Sequence, residues 1–511
     1  MAGELYKWIM DATAGAPLPF SLALVAAAFV LYNIVSIITT AYFSPLSKIP
    51  GPWYAKLTDL RLTYSVFAGN RIYYVDSLHQ KYGPMVRIGP KEVDVADPAA
   101  AREVHRMGTV FTKAPFYRLL SPGPVDNIFN FRDQKKHSQR RKLYAKGFTL
   151  VELRKNWEST INKTISMAVQ KMKEEAANGD TELMGWWTLM ANEIVCRLTF
   201  NGGHGTVEKG IKDPFVLMLE KRKGDLAHLL KMFIPPLYYV GRVLGKVNTR
   251  MNDIFYSQEK MFKAGAGVVK SARQDKEAGE FNQNLFAKAL QEGEGDAATL
   301  TDTDIITDAG ALLLAGSDPT AISLTFLIYL VLSRPELQKQ LEEEVASIDG
   351  EVTDTVCEGL PLMNAIIDES MRLYGAAPGG LPRSPPAGGA NLGGYYIPEG
   401  TVVDTQNWTL HTDGATWKEA QTFDHTRFLP ENRLEFSEKQ KMAFNPFGQG
   451  SRQCLGIHLG RLEMRLAVAH FFRELRGVKL AKSATPESMA VVDSFVAGVP
   501  RDRRCEVTMK A

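Results

Sequence analysis

The sequence predicts a mainly α-helical fold with a small β region, preceded by an N-terminal transmembrane helix. Three observations point there. Long stretches repeat apolar residues at helical spacing, at 134–146, 153–177, 186–200, 302–332, 335–346 and 360–374. Strand signals are few and short. No charged residue lies between Asp11 and Lys48, and within that gap Phe20 to Phe43 is apolar apart from Ser, Asn and Thr. About twenty such residues cross a bilayer as a helix.

The N-terminal run reads as a retained anchor. A cleaved signal would want a basic start and a shorter apolar core, whereas Glu4 and Asp11 flank Lys7 here. Lys48, Lys56 and Arg61 follow the span, which places that side in the cytosol. The expected division is therefore a lumenal segment 1–19, an anchor 20–43, a proline-rich hinge 44–53 and a catalytic domain 54–511. Lys48-Ile-Pro-Gly-Pro-Trp53 supplies the hinge, because proline fixes backbone torsions and stops a helix. Asn162-Lys-Thr164 and Asn407-Trp-Thr409 are glycosylation acceptors in form, and on the cytosolic side they stay unmodified.

Strands are expected at Met85 to Ile88 and Glu92 to Val95, and hairpins at Gly393 to Val403 and Val491 to Thr508. The chain has 511 residues, 45% hydrophobic and 23% charged, with a formal charge of +3. That suits a large packed domain and gives no case for nucleic-acid binding. Four scattered cysteines (Cys196, Cys357, Cys454, Cys505) form neither a zinc pattern nor a disulfide framework.

The chemistry-bearing stretch is Phe447-Gly-Gln-Gly-Ser-Arg-Gln-Cys-Leu-Gly456. It sets Cys454 in a glycine-rich loop ahead of an apolar helical run, Ile457 to Phe472. Unpaired N–H groups at a helix start favour a thiolate. Gly448, Gly450 and Gly456 let backbone pass close to a flat, bulky group. Arg452 adds a fixed positive fork. The loop reads as a holder of haem iron through sulfur, with Arg452 on a haem propionate. The alternative is a buried free cysteine beside a flexible loop.

Phe447, Gly450, Arg452, Cys454 and Gly456 fill the fixed places of the haem-binding signature of the cytochromes P-450, and the chain resembles that family. The resemblance implies the P-450 fold and haem b with an axial cysteine thiolate. It implies electrons from NADPH through a separate reductase, O2 as co-substrate and a lipophilic substrate. Glu369 and Arg372, at i, i+3 spacing, resemble the family's Glu-x-x-Arg helix motif. Arg427 would be the third member of that structural trio, although His425 stands where proline is usual. Arg383 and Arg141 match propionate arginines, and His137 stands where the family usually has tryptophan.

Ala315-Gly-Ser-Asp-Pro-Thr320 resembles the oxygen-binding motif. Ala315 and Gly316 leave space over the iron, and Asp318 matches the acid of the proton relay. Pro319 replaces the family's threonine; the helix should kink there, and Thr320 is displaced roughly 100° round it. Proton delivery would then fall to Asp318, Thr320, water or a substrate hydroxyl. Phe111 to Phe131 is placed as a substrate-contact loop, and Met232 to Tyr239 as an apolar stretch facing either the membrane or the core. Lys135, Lys136, Arg140, Lys142 and Lys146 form a basic cluster suited to a reductase. General likeness is to fungal secondary-metabolite hydroxylases acting on a polyketide or terpenoid, on the endoplasmic reticulum membrane. Two other readings stay open: a haem-thiolate isomerase or dehydratase working without reductase, suggested by Pro319, and a non-catalytic haem-binding protein.

Overall fold

In the computed structural model, which describes residues 18–121, 123–200, 205–210, 226–277, 287–292, 300–494 and 497–510, the first apolar run is helix α1 (Leu18–Ile38). The expected lumenal segment lies, up to residue 17, outside the described residues. Ala23–Phe43 is long and apolar enough to cross a membrane, and most of its large side chains are exposed. Its far end is tied down. The buried Arg87 donates to the carbonyls of Thr40, Ala41, Gly89 and Pro90. Arg87 N also donates to Pro50 O at 2.8 Å. The proline hinge is thus docked along a strand rather than projecting as a free spacer.

Twelve strands are described: β1 (Met85–Gly89), β2 (Glu92–Val95), β3 (Thr112–Lys113), β4 (Asp180–Glu182), β5 (Arg383–Ser384), β6 (Ala390–Leu392), β7 (Tyr395–Ile397), β8 (Val402–Asp404), β9 (Lys479–Leu480), β10 (Val491–Ser494), β11 (Ala497–Pro500) and β12 (Glu506–Thr508). The main sheet has the order β1-β2-β8-β5-β3. Each expected segment contains part or all of a hairpin, but with different extent. β7 turns back on β6, while β8 leaves to run parallel to β2. β10 and β11 form a hairpin, but β12 pairs with β4 and β9. Gly393 and Gly394, both at positive φ, make the β6–β7 turn that separates the two strands.

The helices that position the site are α2 (Pro98–His105), α3 (Gln134–Ala145), α4 (Glu158–Asn178), α5 (Leu183–Phe200), α6 (Pro235–Leu244), α7 (Asp302–Leu332), α8 (Pro335–Ala346), α9 (Asp354–Glu358), α10 (Pro361–Tyr374) and α11 (Ile457–Glu474). The predicted helix 153–177 is split at Trp157, whose φ of −129° breaks the run; a separate turn, Leu150–Asn156, precedes it. α7 starts with a capping box between Thr301 and Asp304, and its apolar middle packs against α5 and α11. It continues as one helix through Pro319. Both glycosylation acceptors are spoken for inside the fold. Asn162 donates to Val352 O and meets His470, and the buried Asn407 donates to Ala377 O.

Glu369 and Arg372 are fully buried and paired through two 2.7 Å bonds. Arg372 also donates to the carbonyls of His411, Ala420 and Thr422, and Arg427 Nε approaches Glu369 at 3.5 Å. The trio therefore clamps the 411–427 meander onto α10. Replacing Glu369 with Gln leaves the buried Arg372 without a carboxylate and Arg427 with only the 3.8 Å approach to Asp424. The expected loss is about 3–5 kcal/mol, read as a lower denaturant midpoint.

Candidate active site

Cys454 follows the tight turn Gly450–Arg452, and Gly456 caps the start of α11. Its N–H donates to Phe447 O at 2.9 Å, which closes the loop on itself. Gly450 has φ +64°, and a Cβ there would lie 2.0 Å from His105 O at the end of α2. Glycine is therefore required where the loop docks on α2. Arg141 reaches across from α3 and donates to Gln453 O at 2.8 Å. It braces the loop as well as lining the cavity.

The Cys454 side chain is exposed, and what it faces is an internal cavity of about 480 Å³. Burial pushes its thiol pKa up, against the opposing pull of the Gly456 N–H and the Arg141 charge. Desolvation outweighs the helix start, contrary to the sequence expectation. Left alone the sulfur keeps its proton; binding a metal releases it.

Ala315 and Pro319, one turn apart on α7, present exposed surface to the same cavity. Position 319 thus faces the site, but with a ring and no hydroxyl. Gly316 serves another purpose than the one expected. A Cβ there would lie 2.3 Å from Val195 Cγ2, so its main role is the close approach of α7 and α5. Asp318 is half-buried on the cavity wall. Thr320 is turned away from the predicted oxygen site: its Oγ1 donates to Glu463 Oε2 of α11 at 2.9 Å.

One end of the cavity is strongly cationic. Lys113, His137, Arg141, Arg383 and Arg452 all line it. Their recorded hydrogen-bond partners are carbonyl oxygens and one phenol, not carboxylates. Arg383 donates to Tyr117 Oη and to the carbonyls of Leu381 and Pro382. Lys113 donates to Phe129 O and sits 4.2 Å from the Tyr117 and Phe129 ring centres. Arg452 Nη1 is buried with no partner among the described residues. Burial and its neighbours' charges lower the pKa of Arg452 to about 10 and that of His137 to about 3, and push Lys113 well below the usual lysine range. Lys113 and Arg383 are moreover direct cross-strand partners of β3 and β5. Like charges set opposite each other are destabilising. The arrangement calls for an anion between them; the two propionates of a haem would fit that need, and Cys454, lining the same cavity, would be its thiolate ligand.

Sequence reading brought Cys454, Arg452, Arg383, Arg141, His137, Phe447, Gly456, Ala315, Gly316, Asp318 and Thr320 to this cavity, while Gly450 serves the docking of the loop on α2. It missed Lys113, Tyr117 and Glu463. The first two lie in the Phe111–Phe131 loop taken for substrate contact, and only the β3–β5 pairing sets them beside Arg383. Arg140 is corrected too: it is buried and pairs with Asp304 and Asp308, so it leaves the basic cluster. Lys135, Lys136, Lys142 and Lys146 remain exposed.

A family model described as cytochrome P-450 matches residues 50–496. The chain is 65% identical over 477 residues to cytochrome P-450 monooxygenase stcB of Emericella nidulans, covering 93% of this chain and 91% of that protein. It is 61% identical over 495 residues to cytochrome P-450 monooxygenase aflV of Aspergillus parasiticus, covering 96% and 97%. The solved heme domain of cytochrome P-450DA superposes with a TM-score of 0.67 at 19% identity, over 86% of this chain and 92% of that one, a likeness of fold.

Lys113→Leu removes one of two facing cations. It is expected to raise the thermal midpoint of the haem-free protein and to speed loss of haem to an acceptor globin by about tenfold, a charge-assisted contact's share of affinity. A higher midpoint without faster haem loss, or haem loss as slow as in wild type, would contradict a propionate role.

Proposed function

The chain belongs to the cytochrome P-450 family and is a monooxygenase of it; on that premise we propose that it inserts one oxygen atom of O2 into a lipophilic small molecule of fungal secondary metabolism, a polyketide or terpenoid. The observation that carries this is the thiol of Cys454 facing a largely apolar cavity whose other end gathers basic side chains bonded to carbonyls and a phenol, with Arg452 Nη1 lacking a partner among the described residues. Bound haem supplies the dioxygen chemistry there, and an axial thiolate favours O–O cleavage. Arg452, Arg383, Lys113, Arg141 and His137 hold the propionates. His137, kept neutral, contributes a hydrogen bond rather than a charge. The apolar wall excludes water and holds the substrate against the face formed by Ala315 and Pro319.

Electrons come from NADPH through a separate flavoprotein reductase. The exposed Lys135, Lys136, Lys142 and Lys146 of α3, close to the cysteine loop that Arg141 braces, suit an acidic partner. α1 anchors the protein in the endoplasmic reticulum membrane with the catalytic domain in the cytosol. The outward face of α6, with Leu237, Tyr239, Val240 and Val243 exposed, rests in the same bilayer and admits substrate from it.

Pro319, facing the cavity without a hydroxyl, favours a second reading, a reductase-independent isomerase or dehydratase. The decisive measurement is product formation from candidate intermediates with and without reductase and NADPH. Product that requires both, with one oxygen from labelled O2, supports the monooxygenase; product without NADPH consumption supports the isomerase.

Cys454→Ser is expected to abolish the red-shifted absorption band of the reduced carbon-monoxide complex, and an unchanged band would reject the sulfur ligand. Lys135→Glu with Lys142→Glu is expected to raise the reductase concentration for half-maximal turnover about tenfold at low salt, with the difference shrinking as salt is added.

A further inference from the structure

Between strands β11 and β12 the chain turns through Arg503. Its N–H donates to Pro500 O at 2.9 Å, and its φ of +52° lies in the left-handed region. Among the described non-glycine residues only Glu419 shares that departure. A residue with a Cβ is strained there, so the surrounding structure must hold it. Its neighbours Arg501, Asp502 and Arg504 stay exposed, and Arg504 reaches Glu506 at 3.7 Å. Arg503 is half-buried and lines the internal cavity.

The β10–β11 hairpin supplies the setting. Ser494 and Ala497 are cross-strand partners, and both line the cavity together with Val499. Gly498 N donates to Ala376 O at 2.9 Å, which sets the hairpin against the Ala376–Ala377 stretch of the cavity wall. Arg503 Nη2 stands 3.5 Å from Ser494 Oγ. A guanidinium and a hydroxyl are thus placed side by side in a wall of alanine and valine. The other cations on the wall, Lys113, His137, Arg141, Arg383 and Arg452, are those assigned to the propionates. A loop arginine ordinarily extends its charged head into water, and it keeps its charge wherever it lies. Turning one toward an apolar cavity carries a desolvation cost that an apolar ligand would only increase.

We propose that Arg503, with Ser494 beside it, is a specificity-determining residue that takes an ionised acidic oxygen of the substrate: a phenolate, enolate or carboxylate on an otherwise lipophilic skeleton. The inference rests on the monooxygenase reading above and narrows its substrate class. The planar fork of arginine suits two oxygens of one acidic group, and the Ser494 hydroxyl stands close enough to share them. The contact binds and orients and takes no part in bond-making. It fixes one end of the substrate and leaves the apolar remainder to the wall that includes Ala315 and Pro319. A neutral analogue is disfavoured, because it desolvates the guanidinium with no ionic contact from the ligand in return. Of the two skeletons considered above, a polyketide fits better. Poly-β-ketone chains cyclise to acidic phenols and enols, whereas isoprene-derived skeletons carry no acidic oxygen as first built.

The test uses the full-length, haem-loaded protein and reads binding from the shift of the haem absorption band, with no turnover needed. The probes are 2-naphthoate and 2-acetylnaphthalene, which are nearly the same shape and differ in charge. Wild type is expected to bind the naphthoate more tightly, on the order of tenfold, the share of one charge-assisted contact. Arg503→Leu should abolish that preference. Arg503→Lys should keep part of it, since the charge stays and the fork is lost. Arg503→Glu should invert it in favour of the ketone. Ser494→Ala should weaken naphthoate binding by less than Arg503→Leu does. Loss of haem to an acceptor globin should stay at the wild-type rate in Arg503→Leu, which separates this residue from the propionate cations.

Equal affinity of wild type for the two probes, binding of neither, or a preference that survives in Arg503→Leu overturns the proposal. If Arg503→Leu does not hold haem, the wild-type comparison and Arg503→Lys decide it. Failure of the monooxygenase reading looks different: wild type would select the acidic probe yet form no oxygenated product from any candidate with reductase and NADPH.

Discussion

Five basic side chains converge on one end of a buried cavity, and their bonds run to carbonyls and a phenol. That electrostatic imbalance is what the rest of the site is organised around. The β3–β5 register sets Lys113 opposite Arg383, Arg452 arrives from the cysteine loop, and His137 and Arg141 from α3. Burial makes Lys113, His137 and Arg452 costly to charge, and the neighbouring cations add to that cost. A flat dianionic ligand settles the conflict, and in doing so it fixes how that ligand lies. Haem would be held there by its propionates at the basic residues and by Cys454, which lines the same cavity.

The sulfur can be held in one place because its loop is anchored from several directions. Gly450 lets the turn lie on the end of α2, Arg141 holds Gln453, and Phe447 O takes the Cys454 N–H. Behind this, the buried Glu369–Arg372 pair and Arg427 secure the meander that leads into the loop. The pair acts on geometry and takes no part in chemistry, since none of its atoms lines the cavity.

The wall that α7 presents to the cavity departs from the expected motif at one residue. Pro319 removes both a hydroxyl and an N–H from the cavity side of α7, yet the helix continues through it because α5 and α11 grip it on both sides. The neighbouring hydroxyl, Thr320, is directed at α11 instead of at the cavity centre, and it finds there a carboxyl that burial keeps protonated.

The sequence alone determined what is written locally. Helical periodicity placed α7, α8 and α10 within a residue or so, the uncharged run marked α1, and the contiguous glycine–arginine–cysteine string located the cysteine that faces the cavity. These depend on spacing within a few turns of chain, which a linear reading captures. Tertiary structure alone decided the strand partners of 383–404, the burial of Arg140, the packing role of Gly316, and the meetings of Lys113 with Arg383 and of Thr320 with Glu463. Those pairs lie far apart in sequence. Their charge states follow from desolvation and neighbouring charges, which exist only once the chain has closed around them.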